Sequence, residues 1–364
     1  MKRSLLFAAI AAVAFSSCSK DDAVSINETG KGIGFGVLNN KVQSRATETT
    51  VANIGGFSVY AYAHAVGENA NYITGTPYYN GVSITVDATG GCTYTDGTKQ
   101  KMWPKTEQLD FLAYSPADYG LYLTGTVSVD MSAKLEANNQ QDLVVAKKLN
   151  ESGVGVDNYK TEMKFNHALS QIKFKAVSKY STVNFKVKSI KITGVNLQGI
   201  TNLTTWAYAV PNGATNTGNG LEWVMAGEVG NVAFGAKTTE TINTTAVDLT
   251  AANGALMVIP QTLKGGVAIE KGVVTVENIL TDKTKSYIVI EYSATDKETG
   301  AVLVTNGRCA APVSTDLKAG LRYVYTMTLA GKGDGGTTED KLYPIDFTCT
   351  VEGWVDGPTV GGEI

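Results

Sequence analysis

Histidine and arginine are nearly missing from this 364-residue chain, which has two histidines, His64 and His167, and four arginines, Arg3, Arg45, Arg308 and Arg322. A catalytic or metal-binding histidine cluster cannot be assembled from so few. A formal charge of −3 leaves no basic excess for nucleic acid. Cysteine is scarce at 4 and shows no CxxC spacing, so the sequence offers neither a zinc site nor a convincing disulfide framework. Besides Cys18, three buried free thiols, Cys92, Cys309 and Cys349, packed as small hydrophobes are expected, with one disulfide as the alternative. Proline is low at 8, whereas glycine reaches 39 and tyrosine 17, and apolar residues make up 43%. That balance excludes disorder and a polytopic membrane protein, and it favours many strands joined by tight turns. At ~150 residues per domain, the length corresponds to two domains.

The N-terminus reads as an address. Lys2 and Arg3 precede an apolar run from Leu5 to Phe15 that is too short to span a bilayer stably, and Ser16-Ser17-Cys18 follows. This resembles the lipobox of bacterial lipoproteins, which implies cleavage before Cys18 and attachment of lipid to its thiol. Removal of residues 1–17 takes two positive charges and moves the formal charge to −5, counted on the sequence.

The dominant signal along the rest of the chain has period two. Ile172, Phe174 and Ala176 alternate with Lys173 and Lys175; Val183, Phe185 and Val187 alternate with Asn184, Lys186 and Lys188; Tyr323, Tyr325, Met327 and Leu329 share one face. Runs at Leu143–Ala146, Leu256–Pro260 and Tyr287–Ile290 are expected to be more central strands. Asn80-Gly81, Asp96-Gly97, Asn212-Gly213 and Asn219-Gly220 punctuate them as turns. Helical periodicity is weak, and only Met131–Asn138 is expected to form a short helix. The polar stretch Asn150–Lys164 marks a domain boundary near residue 165. An all-β protein with two tandem β-sandwich domains, residues 46–165 and 166–364, is the expected architecture. Asp87, Asp96, Asp296 and Glu298 lack EF-hand spacing, and no metal or cofactor is expected. Lone His64 and His167 read as hydrogen-bonded packing residues. Tyr78, Tyr79, Trp206, Tyr208 and Trp223 read as core or edge aromatics rather than as a sugar-binding surface. No acidic pair stands out as catalytic, so no enzyme is expected.

The two ends of the chain carry the functional signal. Ile33, Phe35 and Val37 share one face of a segment whose other face is glycine, a strand with an apolar side to bury and little to hold it otherwise. Arg45 follows in a polar stretch, where it is either a solvated loop residue or a site of proteolytic nicking before Ala46. At the other end, the glycine-rich linker Gly331–Asp340 leads to Ile345, Phe347, Cys349 and Val351, which alternate with polar residues ahead of Trp354. That strand either completes its own domain or is donated to a neighbouring molecule.

The ordered set comprising Cys18-Ser19-Lys20-Asp21-Asp22, Ile54-Gly55-Gly56-Phe57, Trp103-Pro104, Leu109–Tyr114, Phe165–Ser170, Leu256–Gln261, Ala319–Tyr323 and Thr348–Trp354 resembles the fimbrillin family of type V pilus subunits of Bacteroidales. The resemblance implies transthyretin-like sandwiches and an outer-membrane lipoprotein precursor. It implies a leader, residues 18–45, whose strand fills its own groove until an arginine-specific trypsin-like protease cuts after Arg45. The donor strand within residues 342–355 of another fimbrial subunit, identical or paralogous, then takes its place in a fimbrium at the cell surface. Alternatives are a fimbrial tip or accessory adhesin, or a non-polymerising surface lipoprotein that binds glycans or host proteins. Burying the four apolar side chains of the donor would contribute roughly 6–12 kcal/mol gross.

Overall fold

The computed structural model describes residues 32–37, 54–117, 120–153, 159–251, 254–267, 275–330, 342–344 and 346–354. Strands dominate them, and the fold is an all-β sandwich of several sheets.

A six-stranded antiparallel sheet runs in the order Asn166–His167, Val144–Glu151, Glu107–Ser115, Gly56–Ala65, Tyr79–Val86, Cys92–Tyr94. Its central strand Glu107–Ser115 lacks alternation because both faces are covered. Leu109, Phe111 and Ala113 enter one apolar cluster, whereas Leu112 and Tyr114 enter another. Two five-stranded sheets pack around that second cluster. One centres on Ser170–Ser178 and Leu321–Leu329, paired in parallel, and the other on Val183–Asn196 and Tyr287–Asp296, paired antiparallel. Ile172, Phe174, Tyr323 and Tyr325 from the first meet Phe185, Ile190, Ile288 and Tyr292 from the second, all at or near zero exposure. Phe174 contacts Phe234 across the gap, edge to face at 4.8 Å.

Strand Val183–Asn196 shows how the pattern is kept over fourteen residues. Val183, Phe185 and Val187 are buried, then Ile190 and Ile192, a switch of phase that would turn half the strand outward. A bulge between Val187 and Ser189 absorbs the extra residue, Lys188, so both halves face the same core.

A four-stranded sheet in the order Trp223–Met225, Gln198–Asn202, Thr126–Asp130, Gly120–Leu123 pairs residues from both sides of position 165. The expected helix at Met131–Asn138 is instead an anchored loop ending in a 3-10 turn, Ala137–Asn139. The Met131 amide donates to the Leu197 carbonyl at 2.8 Å, and the Gln140 side chain donates to the Lys134 carbonyl at 3.0 Å. Tertiary hydrogen bonds thus outcompete a weak local preference. The α-helix among the described residues is Val276–Thr281, opened by a reciprocal capping box between Thr275 and Asn278.

Phe185 is fully buried and packs against Tyr292 at 5.6 Å. Phe185→Ala is expected to lower unfolding free energy by ~3–5 kcal/mol in chemical denaturation. Val302→Ala, at a residue 68% exposed, should stay within ~0.5 kcal/mol.

Candidate functional site

The leader strand Gly34–Val37 lies parallel to Lys160–Met163, with Phe35 opposite Thr161 and Val37 opposite Met163. On its other side Gly32 bridges Met102 and Gly36 bridges Gly91. The strand is therefore seated between two segments of the chain. Ile33, Phe35 and Val37 are 0%, 3% and 9% exposed and belong to the apolar cluster on the outer side of the six-stranded sheet. Phe35 occupies a box of four rings: Phe57 and Phe111 edge-on at 5.9 and 5.6 Å, Tyr94 and Tyr79 tilted at 6.0 and 6.3 Å. At ~1.5–3 kcal/mol per buried apolar side chain, the three residues contribute roughly 5–9 kcal/mol gross.

Directed hydrogen bonds fix the register. The Ile33 amide donates to the Lys101 carbonyl at 2.9 Å, and the Ile33 carbonyl accepts from the Tyr94 hydroxyl at 2.8 Å and from the Gln100 side chain at 3.1 Å. The Tyr94 hydroxyl and the Tyr79 hydroxyl lie 2.8 Å apart, and the Lys101 amide donates to Tyr79 at 3.0 Å, so the grip on Ile33 is continuous with the aromatic box. Burial pushes the Tyr94 phenol far above its ordinary range.

The glycine face has a positive use. A Cβ on Gly36 would lie 2.4 Å from the Glu162 carboxylate, one on Gly32 would lie 2.6 Å from the Gln100 amide, and one on Gly34 would lie 3.0 Å from Lys160 Cγ. Polar side chains of the seat thus fold over the leader where it has none of its own. The strand is bound by one face only, and the groups over the other face are ones water can serve equally well.

The tail strand Asp346–Gly353 pairs antiparallel with Leu321–Leu329 of the same chain, Cys349 opposite Tyr325 and Val351 opposite Tyr323, at the edge of its sheet. Cys349 and Val351 are half-buried against the large core cluster. Trp354 anchors the end: its amide donates to the Gly320 carbonyl at 2.8 Å, and its ring stacks on His167 at 3.9 Å and 9°. His167 in turn lies 2.7 Å from the buried Asp142 carboxylate. A strap crosses the tail at the 3-10 turn Gly213–Thr215, where a Cβ on Gly213 would meet the Val351 carbonyl oxygen at 2.2 Å. Glycine is what lets the strap lie flat on the tail backbone.

Other sequence candidates fall as follows. Cys18, Arg45, Ala46 and Ile345 lie outside the described residues, as does the side chain of Phe347. Cys92, Cys309 and Cys349 are free, but only Cys309 is fully buried. Burial pushes the Cys92 and Cys349 thiols up to about 11. His64 lies 3.2 Å from Asp110, which also accepts from Tyr72 and from the Asn150 amide. The partner strand Lys160–Met163 sits inside the stretch read as a polar boundary. Its signal was there in the buried Thr161 and Met163 alternating with Lys160 and Glu162.

The protein is all-β, with Gly34–Val37 paired to Lys160–Met163 in a two-stranded sheet and Asp346–Gly353 at the edge of a five-stranded one. Among the described residues no group of three or more His, Cys, Asp and Glu side chains could hold a metal ion. The fimbrillin-like family model matches residues 44–354, and the chain belongs to that family, one of fimbrial or adhesin-like surface proteins. A crystal structure described as a candidate cell adhesion protein from Parabacteroides distasonis matches with a TM-score of 0.50 at 10% identity, over 90% of this chain and 97% of that one. Proteins so described from Bacteroides uniformis and Bacteroides ovatus give 0.47 and 0.46. Both are 14% identical over 89% of this chain, and over 99% and 97% of their own. At such identities the likeness concerns fold alone. No curated protein matches the chain.

Two outcomes test this geometry. Phe35→Ala should empty the ring box and lower the stability of the uncut protein by ~3–5 kcal/mol in chemical denaturation. Gly213→Val should push the strap off the tail, so that amides of residues 346–353 exchange hydrogen faster while those of the six-stranded sheet do not change. Unaltered tail exchange would contradict the strap.

Proposed function

We propose that the chain is a structural subunit of a type V pilus, made as a lipoprotein precursor carried on Cys18 and matured by cleavage between Arg45 and Ala46. The outer membrane holds the precursor, and an arginine-specific trypsin-like protease supplies the cut. Other fimbrial subunits, identical or paralogous, are the partners. The chain acts as two tandem transthyretin-like units divided near residue 165, and the mature form belongs to a fimbrium at the cell surface. The work is mechanical: no bond is made or broken by this protein, and no cofactor enters.

One observation carries the reading. The buried face of the leader is Ile33-x-Phe35-x-Val37, and the tail repeats it as Ile345-x-Phe347-x-Cys349. The same spacing, the same aromatic and a small apolar third member make the tail a substitute for the leader. Entering in the leader's direction, Phe347 would replace Phe35 in the box of Phe57, Tyr79, Tyr94 and Phe111. While the leader is covalently attached it is present at high effective concentration, and a tail from another molecule cannot compete. Cleavage after Arg45 ends that advantage. The vacated groove, lined by rings and by Met163, then favours any strand with a matching face. Loss of residues 18–45 also removes a net positive charge, leaving the subunit at −6, counted on the sequence.

A second reading has its own observation. The tail is paired at home over eight residues and is anchored by Trp354. A subunit that keeps its tail there would accept a neighbour's strand but donate none, as a fimbrial tip or accessory adhesin does.

Limited trypsin treatment of folded protein should yield a stable core that begins at Ala46, and the cut wild type should form ladders on a denaturing gel run without heating. Phe347→Asp should be cut identically and form none, because a buried unpaired charge costs several kcal/mol. Ladders from Phe347→Asp would overturn the exchange, and a cut wild type that stays monomeric would select the tip or accessory reading.

A further inference from the structure

An open cleft of about 530 Å3 lies between the turns at residues 69–73, 124–126 and 202–204, remote in sequence from both leader and tail. Its volume falls in the range of small-molecule sites. None of the nine residues that line it is charged, in a chain where charged residues make up 18%. Asn69, Asn71, Tyr72, Thr124, Asn202 and Thr204 supply amide, hydroxyl and ring groups, and Ile73, 77% exposed, stands at the rim.

The polar groups are held in place but not all spent. Asn202 Oδ1 accepts from the Thr204 amide at 2.9 Å and from the Thr204 hydroxyl at 2.7 Å, which fixes the carboxamide and leaves its Nδ2 hydrogens free among the described residues. The Asn69 side chain and the Thr124 hydroxyl have no hydrogen-bond partner among the described residues. Thr124 and Gly125 both have left-handed backbones, at φ of 47° and 85°. A Cβ on Gly125 would lie 2.2 Å from Thr204 Cγ2, so this turn is flush with the 202–204 turn, and the Leu203 amide donates to the Gly125 carbonyl at 2.9 Å. Tyr72 is fixed at its hydroxyl by Asp110 and packs edge-on against Tyr62 at 5.2 Å. Asp110 itself is buried and paired with His64, so it brings no open charge to the cleft.

Unspent amide and hydroxyl groups beside a tyrosine ring, with no charged residue in the lining, complement a ligand that is rich in hydroxyls, carries apolar C–H faces and bears no charge. A phosphate, a nucleotide or an acidic peptide would find no cation among the lining residues, and the nearby Lys147 ammonium is held by the Thr204 and Trp206 carbonyls. We propose that this cleft binds a short neutral oligosaccharide. The inference does not rest on strand exchange, because none of the lining residues belongs to leader or tail.

The test is saturation-transfer NMR on uncut protein with maltotriose, cellotriose, lactose and N,N′-diacetylchitobiose, with 3′-sialyllactose as the charged comparator. Asn202→Asp keeps the oxygen that holds Thr204 but replaces the free amide donor with an anionic oxygen; Asn69→Ala removes an exposed group that has no partner to lose. Saturable binding of at least one neutral sugar is expected, about tenfold or more weaker in each variant, at unchanged melting temperature. Absence of saturable binding across the neutral panel would overturn the proposal. So would unchanged affinity in both variants, or equally tight binding of 3′-sialyllactose.

Discussion

The seating of Phe35 among Phe57, Phe111, Tyr79 and Tyr94 is the contact on which the rest of the N-terminal architecture depends. Those four rings come from four strands of the six-stranded sheet; Tyr79 and Tyr94 touch each other directly, and Phe35 fills the space between all four. Without it the outer face of the six-stranded sheet would present a row of apolar side chains to water, a surface of the kind that soluble proteins cover or use for association. The leader is short, pairs with one full strand and two isolated bridges, and has glycine on its free face. It is a strong plug, by virtue of its side chains, on a weak strand, by virtue of its backbone.

The tail is built the other way round. Its backbone is paired over eight residues and its end is pinned by Trp354 stacked on His167. Yet the side chains described there, Cys349 and Val351, are only half-buried. Detachment gives up the half-burial of those two side chains and the burial of the Trp354 ring, 2% exposed. The strap at Gly213–Thr215 opposes that detachment. Leader and tail thus differ in what holds them, and the proposed exchange of one for the other rests on that difference.

Much of the fold was legible from period two. Ile172, Phe174, Tyr323 and Tyr325 are buried as their alternation requires, whereas the bulge that shifts the phase between Val187 and Ile190 emerges only in the structure. The apolar face of Ile33, Phe35 and Val37 could be read as well, because glycine on the other face left it unambiguous. The seat could not. Lys160–Met163 is four residues long and flanked by polar sequence, so its two buried members were too few to stand out. The grip by Tyr94, Gln100 and the Lys101 carbonyl depends on hairpin geometry that no spacing encodes. Long-range pairing also hid the sheet that joins Thr126–Asp130 to Gln198–Asn202, since neither strand is distinctive alone.

The central claim is that one groove holds the leader before cleavage and a neighbour's tail afterwards. Hydrogen exchange at the amides of residues 160–163 measures that groove directly, in the uncut protein, in the cut monomer after the leader has left, and in the assembled polymer. The account predicts protection, then loss of protection, then its return. Amides that stay protected in the cut monomer, or stay exposed in the polymer, would contradict it.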